Sequence, residues 1–567
     1  MSYSAIRTGA DERRWLFALA GIVALVSLWP LARLLYEAVA PRGGGFDLSI
    51  ATRALTSTAT WRAAWNTLET SILGTAISLF LGVGFALVVA LSDVRAKGAL
   101  IFVFVLPLVV PSQIAALAWI NMAGPQSALL GAFGLAPPPG SENPLYGRFG
   151  ISWLLGLEHA PLVFLAVRAG LRALPREAIE AARGCGATRI VVARTVVLPL
   201  MFPAIMAGGL LAFVSSIGNF GTPALLGIPV SYTTLVTLIY QRLAGFGPSV
   251  LAQAATLSAL IGVFALAMLW LHAHARRALD ARVSGASMPL EPWHLGKARL
   301  AVEIFLWTAL VFAAIVPFVA LIAQSLVPAI GVTLDATTAT LRAYVEAFRQ
   351  SAVSRAFANS FLLAGIAAFL CVMLAMPIAY FAAWRRTRLV KILDTMIELP
   401  YALPGIVLAI ATILTFIRPL PILGVSIYGT LWIIGLAYVA RFMVLALRPV
   451  SAAFAQLDPA LDEAAAAAGA GFGRRLRDVA LPMVAPAAGA GAILVFLTAL
   501  NELTVSALLW SSGSETLGVM VFSLQEGGDS PLAAAVSTLA VAAVIALMLI
   551  LGLVAHRLPK GILPWAN

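Results

Sequence analysis

Apolar residues in this chain run in long unbroken stretches, not in the one-sided stripe of a helix that covers a soluble core. Crossing the apolar part of a bilayer takes about 20 mostly apolar residues. Twelve stretches meet that length: 15–37, 66–91, 99–123, 149–171, 201–224, 250–272, 301–325, 359–384, 395–417, 426–447, 484–510 and 531–555. The expected fold is an all-α polytopic membrane protein. Glycine and proline recur inside these stretches, which membrane helices tolerate better than soluble ones.

Composition agrees. The chain has 567 residues, of which 61% are hydrophobic and only 11% charged, where a soluble domain carries about 25% charged residues. The formal charge of +12 suggests nucleic acid as a partner until the charges are located. They fall in short loops between apolar runs, so the expected surroundings are a lipid bilayer and no nucleic acid. Arg13 and Arg14 precede the first run, which is longer than the 7–15 residues of a signal-peptide core; it reads as a retained helix. Cys185 and Cys371 form no framework and read as small buried hydrophobes.

The basic residues orient the chain. With a cytoplasmic N-terminus, inside segments hold 25 of them and outside segments nine. The inside set includes Arg95, Lys97, the arginines of 172–194, Arg385, Arg386, Arg388, Lys391 and Arg474, Arg475 and Arg477. This bias places both termini in the cytoplasm.

The polar loops carry a repeat. Glu180–Pro199 reads EAARGCGATRIVVARTVVLP and Glu463–Pro482 reads EAAAAAGAGFGRRLRDVALP, an identical spacing 283 residues apart. The repeat extends outward. Asn66 matches Asn359, and Leu106-Pro107 and Pro111 match Leu399-Pro400 and Pro404, at an offset of 293; Pro203, Phe213 and Asn219 match Pro486, Phe496 and Glu502 at 283. The chain is therefore expected to be a parallel duplication of six helices plus six. Each loop should form a short helix that starts after a proline (Leu174-Pro175, Asp458-Pro459), breaks at Gly186 or Gly469, and re-enters the membrane at Leu198-Pro199 or Leu481-Pro482. Such a helix could anchor to lipid headgroups or dock a partner; two copies at one spacing favour docking.

The pattern EAA, three residues, Gly, nine residues, Val, one residue, Leu-Pro resembles the EAA loop of binding-protein-dependent ABC importer permeases, the type I transmembrane subunits. Val196 and Val479 stand where that family often has isoleucine. The resemblance implies that Glu180, Ala181, Ala182, Gly186, Leu198 and Pro199, and likewise Glu463, Ala464, Ala465, Gly469, Leu481 and Pro482, couple the chain to a cytoplasmic ATPase. It also implies a bacterial inner membrane location, two copies of that ATPase, a periplasmic substrate-binding protein, and a single chain acting as its own pseudo-dimer. The expected division is 1–60 (tail, first helix, outside loop), 61–272 (first transmembrane domain), 273–300 (cytoplasmic linker), 301–354 (seventh helix, outside loop), 355–556 (second transmembrane domain) and 557–567 (tail). The run Gly218–Gly227 resembles the iron(III) type of fused permease, with 2-aminoethylphosphonate, thiamine or another small solute as alternatives.

None of the four lysines sits in a G-x-x-x-x-G-K-[ST] loop, so ATP and Mg²⁺ are expected on a separate ATPase chain and no cofactor on this one. No catalytic or metal-ligand spacing is visible among the five histidines. Polar residues inside spans are costly and point to a pathway: Asn219, Asn501, Glu502, Glu158, His159 and Arg441. They either line a central path or bond helix to helix. A secondary transporter of six plus six helices is the rival class; it needs no EAA loops.

Overall fold

The computed structural model describes residues 10–41, 44–172, 174, 176–245, 247, 249–278, 293–385, 387–419 and 424–554. The termini, Pro175, and most of the expected linker and tail (279–292 and 557–567) lie outside the described residues. Among the described residues ten helices are long and apolar enough to span a membrane, up to thirteen if each of three bent pairs counts as one; the ten, with the two pairs that fall on expected runs, make twelve. In chain order these are α1 (Asp11–Val39), α2 (Thr58–Leu91), α3 (Lys97–Val109 with Ser112–Ala132), α4 (Arg148–Arg172), α5 (Arg189–Ile217), α6 (Val250–Met268), α7 (Gly296–Ser325), α8 (Ser351–Trp384), α9 (Arg388–Ala402 with Gly405–Phe416), α10 (Leu431–Phe454), α11 (Phe472–Leu500) and α12 (Ser530–Ile550). Six helices are followed by six in matching order, as the duplication predicts.

Each half is built on a triad, α2/α4/α5 and α8/α10/α11, whose members pack along one another. Without a hydrophobic drive in lipid, close approach of small residues supplies the packing. A Cβ on Gly82 would stand 2.6 Å from the Ala160 carbonyl, and one on Gly491 2.9 Å from the Ala446 Cα. The Ser78 hydroxyl donates to the Gly156 carbonyl at 2.9 Å. At the matching place in the second half, the Cys371 thiol faces the Val439 carbonyl at 3.8 Å. Cys371 is thus the buried small residue expected. Cys185 is not: it is exposed on the first loop.

The first helix of each half crosses to the other half. α1 lies along α9 and α7 along α3, so neither half closes without the other.

Among the described residues four π-turns interrupt the helices, in two matched pairs: Ala24–Leu28 with Val311–Ile315, and Ala193–Val197 with Leu476–Ala480. Each is followed two residues later by a proline, Pro30, Pro317, Pro199 or Pro482. Proline has no N–H for the carbonyl four residues back and its ring crowds that turn. Here the helix widens by one residue and continues. The stretch after each loop is therefore the first turns of α5 or α11, where the sequence suggested a separate basic stretch followed by re-entry.

The twelve expected runs need two further corrections. Runs 99–123 and 395–417 are bent by 104° and 109° at Val110-Pro111 and Leu403-Pro404. A residue before proline is driven out of helical geometry, and Val110 and Leu403 are extended. Runs 201–224 and 484–510 end early, at Ile217 and Leu500. Short helices follow: Gly221–Val230 and Leu235–Leu243, bent by 77°, and in the second half Ser506–Leu509 and Leu517–Glu526.

Candidate functional site

Two regions carry polar groups that the fold places deliberately: the repeated loops, and the broken helices within the bundle.

In the first loop a helix spans Arg176–Gly184, and in the second Ala460–Ala467. Both end in the same cap. The Gly186 N–H reaches the Arg183 carbonyl at 2.9 Å and the Ala187 N–H the Ala182 carbonyl at 3.1 Å; Gly469 reaches Ala466 at 2.9 Å and Ala470 reaches Ala465 at 3.0 Å. This is the Schellman arrangement, which needs a left-handed residue at the glycine. The glycines have φ of +82° and +81°. The two tips are thus superposable in hydrogen bonding and not only in sequence. Glu180, Ala181, Glu463 and Ala464 are exposed, while Ala182 and Ala465 are half-buried. Leu198 and Leu481 are half-buried, and Pro199 and Pro482 are exposed immediately after the π-turns. At the start of the second helix, Asp458 accepts from the Ala460 N–H at 2.9 Å.

The loops differ underneath. The first is seated on aliphatic contacts: Ile179 and Val192 are buried in a cluster with Leu91, Val94, Leu171, Leu306 and Leu310. At its edge, Arg189 donates to the His294 carbonyl. Residues 293–299 form a strap on the α2–α3 connection, where Trp293 N–H reaches the Leu91 carbonyl at 2.6 Å and Leu295 N–H reaches Asp93 at 3.0 Å. That backbone bond, with His294 and Arg299 nearby, holds the Asp93 carboxyl below its ordinary range. In the second loop the positions of Ile179 and Val192 are taken by Asp462 and Arg475.

Of the six polar residues expected within spans, four form two matched pairs, while His159 and Asn501 stand opposite Phe442 and Gly218. Glu158 on α4 corresponds to Arg441 on α10, and Asn219 to Glu502. Asn219 and Glu502 lie just past the ends of α5 and α11 instead of inside a span. Each accepts a backbone N–H three residues on, Asn219 Oδ1 from Thr222 at 3.1 Å and Glu502 Oε1 from Val505 at 2.7 Å. They thereby hold the start of the turn that follows each span, as an N-terminal cap does. The Asn219 amide also donates to both oxygens of Glu158, at 3.2 and 3.1 Å. His159 meets the Ser216 hydroxyl at 3.0 Å. Glu158 also borders a small apolar cavity with Pro107, Trp119 and Phe318.

Arg441 stands differently from its counterpart. Its guanidinium lies against Gly405, and its Nη1 has no hydrogen-bond partner. Among the described residues no carboxylate pairs with it within 4 Å, Glu502 included. The breaks of both halves meet here. Asn501 donates to the Val109 carbonyl at 2.6 Å, and a Cβ on Gly218 would stand 3.3 Å from Pro404. Sequence reasoning missed Gln113, which is fully buried just after the α3 break, with neither amide atom hydrogen-bonded. Its position two residues after Pro111, at a predictable break, was the available signal.

An internally duplicated, all-helical, multi-pass protein with two identically built polar tips and broken helices at its centre is a transport permease. Residues 65–281 and 375–563 both match the family described as binding-protein-dependent transport system inner membrane component, and the chain belongs to that family. It is similar to a probable ABC transporter permease protein of Sinorhizobium fredii, 30% identical over 512 residues that cover 89% of this chain and 88% of that one. It also resembles an Fe(3+)-transport system permease protein of Haemophilus influenzae, 26% identical over 76% of this chain and 77% of the relative. A putative 2-aminoethylphosphonate transport system permease protein of Salmonella paratyphi A is 26% identical over 40% of this chain and 79% of its own length. The protein is therefore a permease subunit of an ABC importer, a transport protein of the inner membrane that works with an ATPase and a substrate-binding protein.

Proposed function

We propose that this one chain supplies both halves of the translocation pathway, with 61–272 and 355–556 as the two transmembrane domains. The loops at Glu180–Pro199 and Glu463–Pro482 are its cytoplasmic docks, one for each of two copies of a separate ATPase that binds ATP and Mg²⁺. Both termini then lie in the cytoplasm, and the binding protein delivers substrate from the periplasmic side. The observation that carries this reading is the pair of matching Schellman tips, whose Gly186 and Gly469 have φ of +82° and +81°. A lipid anchor needs no such matched shape, whereas two copies of one partner do. In each tip the exposed glutamate gives a directional polar contact and the alanines allow close approach.

Transport follows by alternating access. ATP-driven closure of the ATPase pair moves the loops, and each loop helix is joined to α5 or α11 by the tight turn at Gly186 or Gly469. A ligand shifts the balance of inward and outward states only by its preference for one of them. Glu158, His159, Asn219, Arg441, Asn501 and Glu502 are the candidates for the path between the halves. Asn219 and Glu502 serve it by fixing the turns that follow α5 and α11, and Arg441 presents a guanidinium whose Nη1 has no hydrogen-bond partner.

Iron(III) is the substrate class favoured here, because an iron(III)-type relative matches along most of this chain and most of its own length, 76% and 77%. The test is uptake of radiolabelled iron(III) into proteoliposomes holding the chain, its ATPase and its binding protein. ATP-dependent uptake supports the assignment. ATP hydrolysis stimulated by 2-aminoethylphosphonate and not by iron(III) would move it to the phosphonate class.

A further inference from the structure

Beneath the second loop is a buried set of charges that joins parts of the chain up to 463 residues apart. Glu12 on α1 receives Arg385 in a two-pronged contact, Nε to Oε2 at 2.9 Å and Nη2 to Oε1 at 2.8 Å. Arg475, at the start of α11, donates to the same Oε1 at 2.6 Å. Its other prong reaches Asp462 of the loop helix at 2.8 Å. Arg385 also reaches Asp462, at 3.2 Å. The Tyr380 hydroxyl donates to Asp462 at 2.8 Å and accepts from Arg385 at 2.9 Å and from Arg475 at 3.2 Å. The four charged side chains are 3–8% exposed, and two acids balance two arginines. Aromatic rings close round the group: Tyr380 sits edge-on to Trp384 and Phe472, and Phe472 stacks on Phe381.

The other loop has no such set among the described residues. Its counterparts of Asp462 and Arg475 are Ile179 and Val192, and those of Tyr380 and Arg385 are Leu87 and Ser92. On α7 the counterpart of Glu12, judged by the matched π-turns, is Arg299, which pairs with Glu303 at 2.9 Å and Asp93 at 3.8 Å and is more exposed.

A buried ion pair is costly to desolvate and adds little net stability against an apolar substitute, but removing one partner leaves a stranded charge. Its value is geometric. Each arginine here accepts one arrangement of its acids, so the loop helix, the end of α8, the start of α11 and α1 hold one relative position. Asp462 points inward and its neighbour Glu463 outward, so whatever fixes Asp462 fixes the exposed glutamate.

We propose that Glu12 is a positioning residue for ATP-driven transport: through Arg385 and Arg475 it holds the second loop, and not the first, to the N-terminal spanning helix. The two docks are then mechanically unequal. Motion at Glu463 is passed to α1, and through α1 to its contacts on both halves, while motion at Glu180 moves α5 over an aliphatic seat. This rests on the reading of the loops as docks.

The test uses the full chain in nanodiscs, alone and with the ATPase that co-purifies from its host, comparing Glu12→Gln with the charge-retaining Glu12→Asp. Hydrogen exchange is read in 460–475 and in 176–192. Glu12→Gln is expected to speed exchange in the second loop by about tenfold and leave the first within about twofold, with Glu12→Asp in between. In the complex, kcat for ATP per folded particle should fall while KM for ATP and the amount of ATPase bound stay constant, because the nucleotide site lies on another chain. A purely structural role would lower the yield of folded complex and not kcat. If Glu12→Gln fails to insert, Glu12→Asp carries the same comparison. Equal loosening of both loops, or of neither, overturns the proposal, as does an unchanged kcat. If the loops are not docks, the wild-type chain retains no ATPase, while the exchange comparison still reads the latch.

Discussion

Glycines in this chain do two different jobs, and substitution separates them. Gly186 and Gly469 sit at positive φ, and no atom lies within 4 Å of where a Cβ would stand on either. Alanine there costs only the left-handed backbone, about 1–2 kcal/mol each. Gly82 has ordinary backbone geometry, but its Cβ would meet the Ala160 carbonyl at 2.6 Å. Gly82→Ala should force α2 from α4 and cost about 1–3 kcal/mol. Thermal unfolding in detergent should rank Gly82→Ala as the more damaging, with Gly186→Ala and Gly469→Ala seen mainly as faster local exchange. Equal effects would contradict the assignment. Asp93 gives a pH prediction. Its carboxyl is held below the ordinary 3.8 by the Leu295 N–H. The contribution of the charged form to docking the strap is therefore complete above that ordinary value and is lost as pH falls through the lower folded value. Exchange of the Leu295 amide should stay slow down to pH values below 3.8 and rise beneath them. A rise that begins well above that value would mean that Asp93 does not hold the strap.

At the scale of elements, proline writes much of the shape. The four prolines that follow the π-turns are legible in the sequence, but their effect on the turn is not, because a proline in an apolar run is compatible with a kink, a break or a bulge. Pro111 and Pro404 align in the sequence, yet the apolar run around each passes for a continuous span. The extended Val110 and Leu403 that precede them end the helix. The loop caps, by contrast, are fully legible: glycine after an alanine-rich helix has one low-strain use. Replacing both Pro199 and Pro482 by alanine should restore the missing donors and close the π-turns. Removing one inserted residue turns each loop by about 100° against its span. Spin-label distances from the loop helices to α5 and α11 would report the rotation, and ATP turnover should fall although the helices become more regular. Unchanged distances would show that the bulges do not depend on proline.

At the scale of the whole molecule, the duplication, the span number and the family are readable because they repeat, and repeats are local patterns compared at a distance. What is not readable arises where the copies differ. Asp462 and Arg475 stand where the first copy has Ile179 and Val192, and their partner Glu12 is hundreds of residues away. No spacing rule joins them until the chain is folded. The opposite charges of Glu158 and Arg441 at matching places are also hidden, since each looks like an isolated polar residue in its own span. The crossing of α1 to α9 and of α7 to α3 makes each half a part of the other. Cutting the chain within 279–292 should therefore leave two fragments that purify as one complex; fragments that separate in mild detergent would contradict this packing.

If the two loops receive work from an ATPase, its hold on the chain depends on them. The direct measurement is retention of ATPase by the full-length chain purified from its host, for the wild type, Glu180→Lys, Glu463→Lys and both together. Both side chains are exposed, so insertion of the chain should be unaffected. Retention by the wild type, weakened retention by each single variant, and loss of ATPase from a normally inserted double variant are expected. A double variant that keeps its ATPase and full ATP turnover would contradict that dependence.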